Sequence, residues 1–135
     1  LGTDAMTVKM PEELRVALWA QHIRNSNPTC GFMEAANTLL NNNRKIAARY
    51  WNVPLGAIEE NAAADIVLID YYPPTPLDAN TYLGHIIFGL SQSVVDTTIA
   101  NGRVLMENKI LKIDVNEEEA SAKSKELTVK LWERF

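Results

Sequence analysis

Residues 97–106 read Thr97-Thr98-Ile99-Ala100-Asn101-Gly102-Arg103-Val104-Leu105-Met106, and this stretch decides the fold class. Asn-Gly between two β-forming runs is the strongest short-range hairpin cue, because a type I′ turn needs positive φ at both central positions. Glu107-Asn108-Lys109 supplies a second turn and Ile110-Leu111-Lys112-Ile113 a further short strand, which makes a three-stranded meander. Upstream, Asp65-Ile66-Val67-Leu68-Ile69-Asp70 is a β-branched run bounded by polar residues and predicts another strand, buried on both faces. It cannot continue through Tyr71-Tyr72-Pro73-Pro74-Thr75-Pro76, where three prolines remove ladder donors. Residues 79–90 are ambiguous between a helical turn and an irregular crossing segment.

Helices are predicted on either side of the strands. Over 11–24, Pro11 suits a first helical position and Glu12 and Glu13 favour the positive end of the helix dipole. Leu14, Ala17 and Leu18 form one apolar stripe, and Val16, Trp19, Ala20 and Ile23 a second, so this helix should pack against something large. The turn cluster Asn25-Ser26-Asn27-Pro28 ends it. A second helix is expected over 30–40 with Phe32, Ala36, Leu39 and Leu40 inward. Asn41-Asn42-Asn43 should interrupt it and cap a third helix over 44–51, with Ile46, Ala47, Tyr50 and Trp51 as its apolar residues. A last helix spans 117–134. Asn116 with Glu119 three residues on resembles a capping box, and Ala120, Leu127, Leu131 and Phe135 share one face beside Trp132. About four strands cannot cover themselves and also bury the leading helices, so the α+β pattern reads as the end of one architecture joined to part of another.

Composition excludes several function classes. Of 135 residues, 47% are hydrophobic and 22% charged, which are globular values and not those of a disordered chain. Thirteen basic against seventeen acidic residues give a net charge of −4 with no basic patch, which argues against a nucleic-acid partner. No apolar run approaches the roughly 20 residues of a membrane span. Cys30 is the single cysteine, so no intrachain disulfide forms, in keeping with a reducing, cytoplasmic setting.

Candidate chemical groups are few. His22 and His85 lie far apart without Cys or acidic residues at ligand spacing, and a zinc site needs three or four ligands held together. Both therefore read first as structural or solvated side chains. Cys30 has no neighbouring base and reads as a packed thiol, and Glu117-Glu118-Glu119 as the first turn of a helix. Asp4 differs. Leu1-Gly2-Thr3-Asp4 reads as the tail of a strand entering a loop, and acidic residues at the C-terminal ends of barrel strands point into active sites. Taken alone, an Asp after Thr is more commonly a turn or cap residue.

The order of the motifs along the whole chain adds a resemblance. Leu1-Gly2-Thr3-Asp4 resembles the last-strand motif of the amidohydrolase superfamily. Asn42, Lys45-Ile46-Ala47, Leu55-Gly56-Ala57-Ile58 and Ala64-Asp65-Ile66-Val67-Leu68-Ile69-Asp70 follow that family's C-terminal pattern, and Thr97 to Leu105 looks like its hairpin. His85-Ile86-Ile87-Phe88-Gly89 and Lys130-Leu131-Trp132-Glu133-Arg134 are most similar to its chlorohydrolase and deaminase branch, in particular SsnA-like aminohydrolases. The sequence departs where Asn61-Ala62-Ala63-Ala64 replaces the usual Gly before Ala-Asp, where Asn42 stands for a commoner Thr, and where Ala5 stands for a frequent Gly.

The resemblance implies a C-terminal fragment of a metal-dependent hydrolase acting on C–N or similar bonds of a heterocyclic or amide substrate. Residues 1–55 would be the end of a (β/α)₈ barrel, 56–115 part of a small composite β-sandwich domain, and 116–135 a C-terminal helix. Asp4 would be the last ligand of a single Zn²⁺ or Fe²⁺ and the catalytic acid–base group, the other ligands being histidines upstream. The implied partners are a small-molecule substrate and further copies of the chain. The chain alone is expected to be inactive and to hold no metal. The alternative from a different class is a non-catalytic α+β interaction or oligomerisation module.

Overall fold

The Asn101-Gly102 step reverses the chain as its composition requires, with φ of 49° at Asn101 and 74° at Gly102. The computed structural model describes residues 1–135, and its sheet grows outward from this turn. Strands β2 (Val94–Ala100) and β3 (Arg103–Glu107) flank it. A second left-handed pair, Asn108 and Lys109 (φ 51° and 65°), leads into β4 (Ile110–Leu111). Strand β1 (Ile66–Asp70) pairs antiparallel with β2, giving the order β1-β2-β3-β4. Two bulges bend the sheet. Leu68 faces Thr97 while Ile69 faces Val95, leaving Asp96 as the extra residue, and Leu105 is left over between the Thr98–Met106 and Ile99–Val104 pairs. The bulge carbonyls are satisfied: Lys109 N–H donates to the Asp96 carbonyl and Lys112 N–H to the Leu105 carbonyl, both at 2.8 Å.

The motif at the start of β1 and the Asn-Gly turn meet. Asn101 N–H donates to the Asp65 carboxylate at 2.6 Å, and Gly102 N–H to the Ala64 carbonyl at 3.0 Å. Ala64-Asp65 therefore clamps a turn 36 residues away, and the hairpin is held by more than its own dihedrals. A Cβ at Gly102 would meet nothing within 4 Å, so the cost of a side chain there is conformational. Gly102→Val is expected to destabilise the chain by about 1–3 kcal/mol through the backbone strain of a β-branched residue at positive φ. Gly102→Ala should cost less. Chemical denaturation of the three proteins measures the series, and a Val variant as stable as the parent would remove the assigned turn.

Helix α1 (Met10–Asn25) carries Pro at its start, and Glu12 and Glu13 in its first turn. It ends at Ser26, which takes a left-handed conformation (φ 49°) while Asn27 N–H reaches back to the His22 carbonyl, a Schellman closure that satisfies late carbonyls. The next helix differs from expectation. Helix α2 (Phe32–Asn37) runs without a break through one wide turn (Thr38–Asn42) into α3 (Asn43–Ala47). Asn42 is helical (φ −73°, ψ −38°) and its side chain caps nothing. The capping preference of Asn is worth about 1 kcal/mol. It is overridden where Ala35, Ala36, Leu39 and Leu40 all enter the core. The third helix also stops early, and Ile46, Tyr50 and Trp51 lie exposed.

The ambiguous segment is helical. A short turn, α4 (Tyr82–Gly84), opens into a wide turn (His85–Gly89) and tightens into a 3₁₀ turn (Leu90–Gln92). It brings Ile87 against Leu14 and Leu18 of α1 and Ala35 and Ala36 of α2, and these five apolar side chains are the buried core. Only one of the two predicted α1 stripes is covered, since Val16, Trp19 and Ile23 face solvent. Strand β1 is not buried on both faces: Val67 and Leu68, which point to opposite sides of the sheet, are both half exposed.

Helix α5 (Glu117–Trp132) begins as read, with Asn116 Oδ1 accepting from Glu118 and Glu119 N–H. Lys123 and Lys130 bond the Glu126 carboxylate and hold it below the ordinary value. The apolar side chains of α5 have no cover. No helix is long and apolar enough to cross a membrane.

These exposures add up. A compact 15.1 kDa protein exposes about 7,100 Å², whereas this chain exposes 10462 Å² and buries only eight residues.

Candidate functional site

Asp4 sits on a tight turn. Met6 N–H donates to the Thr3 carbonyl at 2.9 Å, and both central residues are left-handed, Asp4 at φ 49° and Ala5 at φ 58°. Asp tolerates this conformation; Ala pays a Cβ clash that Gly would not. The backbone thus explains why Gly is frequent at the position of Ala5. The departure before β1 has the same explanation, because Asn61 takes φ 65° in the loop where the family pattern has Gly.

The Asp4 carboxylate is exposed and receives no hydrogen bond from the chain. The expected strand at Leu1–Thr3 is not formed within these residues, since no neighbouring strand pairs with it. Leu1 is fixed in other ways. Its side chain packs on the core, and its carbonyl accepts from Asn43 Nδ2 at 2.9 Å. Sequence reading missed Asn43. It lies within an Asn triplet whose residues differ only in which side of the helix they occupy.

His85 is 8% exposed and structurally occupied. Its Nε2 lies 3.2 Å from the Pro76 carbonyl, which can only accept, so Nε2 carries the proton. Nδ1 is hydrogen-bonded to the Tyr71 hydroxyl at 2.5 Å. This pins the proline-rich strap 71–76 to the helical turn. Gly89 makes room for the pin, because a Cβ there would fall inside contact distance of the Tyr71 ring and hydroxyl. The side chain expected to be structural is therefore a fastening between two segments, with both ring nitrogens committed. His22 lies apart on α1, and no group of three or more His, Cys, Asp or Glu side chains is gathered to hold a metal ion.

Comparison with known proteins places this geometry. The profile described as "Amidohydrolase family" matches residues 1–105, a span that includes the Asp4 turn and both motifs of the Asp65–Asn101 clamp. A 5-methylthioadenosine/S-adenosylhomocysteine deaminase of Thermococcus onnurineus is 30% identical over 115 residues, covering 82% of this chain and 26% of that protein. A protein of Archaeoglobus fulgidus named 5-methylthioadenosine/S-adenosylhomocysteine deaminase 1 is 28% identical over 135 residues, covering 97% and 31% respectively. A 5'-deoxyadenosine deaminase of Methanosphaera stadtmanae is 30% identical over 124 residues, covering 89% and 28%. No solved structure gives a significant match. The chain spans between a quarter and a third of the length of these relatives. With its family profile matched from the Asp4 turn to the hairpin, the chain belongs to the amidohydrolase family.

Proposed function

We propose that residues 1–135 are the C-terminal portion of a metal-dependent amidohydrolase that removes the exocyclic amine of a heterocyclic substrate. The observation that carries this reading is the match over residues 1–105 to the family profile, together with deaminase-named relatives about three to four times as long as the chain. Residues 1–55 would complete a (β/α)₈ barrel, 56–115 contribute to a small β-sandwich domain and 116–135 form a C-terminal helix. The segment 82–92 links the first two parts, since Ile87 shares the core of α1 and α2. The excess surface of the chain supports the reading, because the rest of a longer protein, or further copies in a homo-oligomer, would cover it.

Asp4 is the residue assigned to chemistry. A carboxylate without a partner in its own chain fits one position of a metal-ligand set, but three or four ligands are needed, so the remaining ones would come from beyond this chain. The chemistry that a bound Zn²⁺ or Fe²⁺ supplies is to lower the pKa of the attacking water toward about 7. Asp4 accepts the water proton on a carboxylate oxygen as the C–O bond forms, then returns it to the leaving nitrogen as the C–N bond breaks, so that ammonia departs. Its exposure on a turn leaves the carboxylate free to face water and substrate alike.

The names of the relatives make 5'-modified adenosines the first substrates to try. The full-length protein carrying this chain is expected to release ammonia from 5'-deoxyadenosine or 5-methylthioadenosine, followed by the absorbance change from adenine to hypoxanthine. A metal-loaded protein inactive on these and on a panel of other aminated heterocycles and amides would overturn the assignment.

A further inference from the structure

We infer that Asn101 is a site of covalent modification by water, converted to aspartate or isoaspartate, and that the Ala64-Asp65 clamp holds this reaction back. Asn101 alone of the chain's asparagines is followed by glycine. Asparagine is a thermolabile side chain, because the next peptide nitrogen can attack its side-chain carbonyl carbon. A glycine leaves that approach open, since it carries no Cβ. Water is the only co-reactant. The bond from Gly102 N to Asn101 Cγ forms as the Cγ–Nδ2 bond breaks, and the proton lost from Gly102 N leaves with Nδ2 as ammonia. Water then opens the five-membered imide at one of its two carbonyls and leaves aspartate or isoaspartate. Asn101 and Gly102 are both exposed, so the reacting groups meet water.

The fold restrains the groups that this reaction must free. Gly102 N–H, on the attacking nitrogen, donates to the Ala64 carbonyl at 3.0 Å, and Asn101 N–H donates to the Asp65 carboxylate at 2.6 Å. These bonds hold the turn at φ 49° and 74°. The charge of Asp65 beside the turn also opposes deprotonation of a peptide nitrogen there. Conversion therefore waits on a local opening of the clamp. Asn108 supplies the contrast. It is left-handed as well, but Lys109 follows it, and a residue with a side chain crowds the attacking nitrogen. The product works against the clamp that delayed it. A carboxylate at 101 repels Asp65, since both groups only accept hydrogen bonds. Isoaspartate also places an extra carbon in the main chain of a two-residue turn, whose length sets the register of β2 and β3.

Peptide mapping by mass spectrometry, after incubation of the full-length protein at neutral pH, reads the conversion at residue 101. Chromatography of the same peptides separates aspartyl from isoaspartyl product. A hydrogen bond to a charged acceptor is worth about a factor of ten or more in an opening equilibrium. Conversion in the folded parent is therefore expected to be slower by at least that factor than in the same protein unfolded in denaturant. Asp65→Ala should speed conversion in the folded protein about tenfold or more. Asp65→Asn keeps the acceptor and loses the charge, and should fall between the two. In the unfolded protein residue 101 should convert well ahead of Asn108. Melting curves show which variants stay folded during incubation. If Asp65→Ala does not, Asp65→Asn carries the comparison, with a rate above the folded parent and below the unfolded chain. A folded parent that converts as fast as the unfolded protein would overturn the inference, as would folded Asp65 variants that convert no faster than the parent. So would an unfolded chain in which residue 101 reacts no faster than Asn108.

Discussion

Asp4→Asn in the full-length protein is expected to lower turnover by about 10²–10⁴-fold, the range that a positioned general base contributes, while leaving the fold intact. The amide keeps the shape of the side chain but cannot accept the proton of the attacking water and is a poorer metal ligand. The structural cost is small for two reasons. The carboxylate receives no hydrogen bond, so none is lost. Residue 4 also lies at φ 49°, and Asn is among the residues that occupy the left-handed region most readily. Stability should stay within about 0.5 kcal/mol of the parent. Asp4→Ala is the less clean variant because it adds backbone strain at this position. Steady-state kinetics with a melting curve of the same preparation make the measurement. An Asn variant that keeps more than about a tenth of the parental rate, a barrier change under ~1.4 kcal/mol, would take the acid–base role away from Asp4.

Local rules explain what could be read in advance. The Asn101-Gly102 turn, the Asn116 cap and the Ser26 helix end all follow from backbone conformations that the neighbouring residues select within a few positions. The Asn41-Asn42-Asn43 stretch misleads for the opposite reason: a weak local preference for capping meets the burial of Leu39 and Leu40, and packing wins. Strand β1 is identified correctly but its burial is not, because apolar composition records what the strand is suited to pack against and not what is present to cover it. The long-range contacts were illegible. Asp65 on Asn101, Tyr71 on His85 and Asn43 on Leu1 each depend on where two elements come together, and nothing in the spacing of those residues announces it. Asp4 is an intermediate case. Its residue type and place permit a site, but the order of family motifs is what singles it out. The structure adds that its turn requires left-handed residues at 4 and 5.

The isolated chain of residues 1–135 is expected to associate into dimers or larger species at micromolar concentration. Its accessible surface of 10462 Å² exceeds that of a compact protein of this mass by about 3,400 Å², and much of the excess is apolar. Trp19 and Ile23 project from α1, Val67 and Leu68 lie half exposed on β1, and Trp132 at the end of α5 and Phe135 beyond it are exposed. One side of β1 is also an unpaired edge, which offers a row of backbone donors and acceptors to another strand. Burying ~600 Å² of apolar area between two chains yields about 15 kcal/mol before costs. Loss of translational and rotational freedom takes back about 4–15 kcal/mol. Association is therefore favoured once the interface grows beyond that area toward the roughly 1,600 Å² of an ordinary stable complex, and the excess surface is large enough to supply it. Sedimentation velocity at micromolar concentration should show no dominant 15.1 kDa species. A dye that fluoresces on exposed apolar surface should bind the chain, and bind it less as concentration and association rise. A stable monomer that leaves the dye dark would require the exposed faces of α1, β1 and α5 to close on one another in solution, which would in turn remove the surface argument for a larger parent protein.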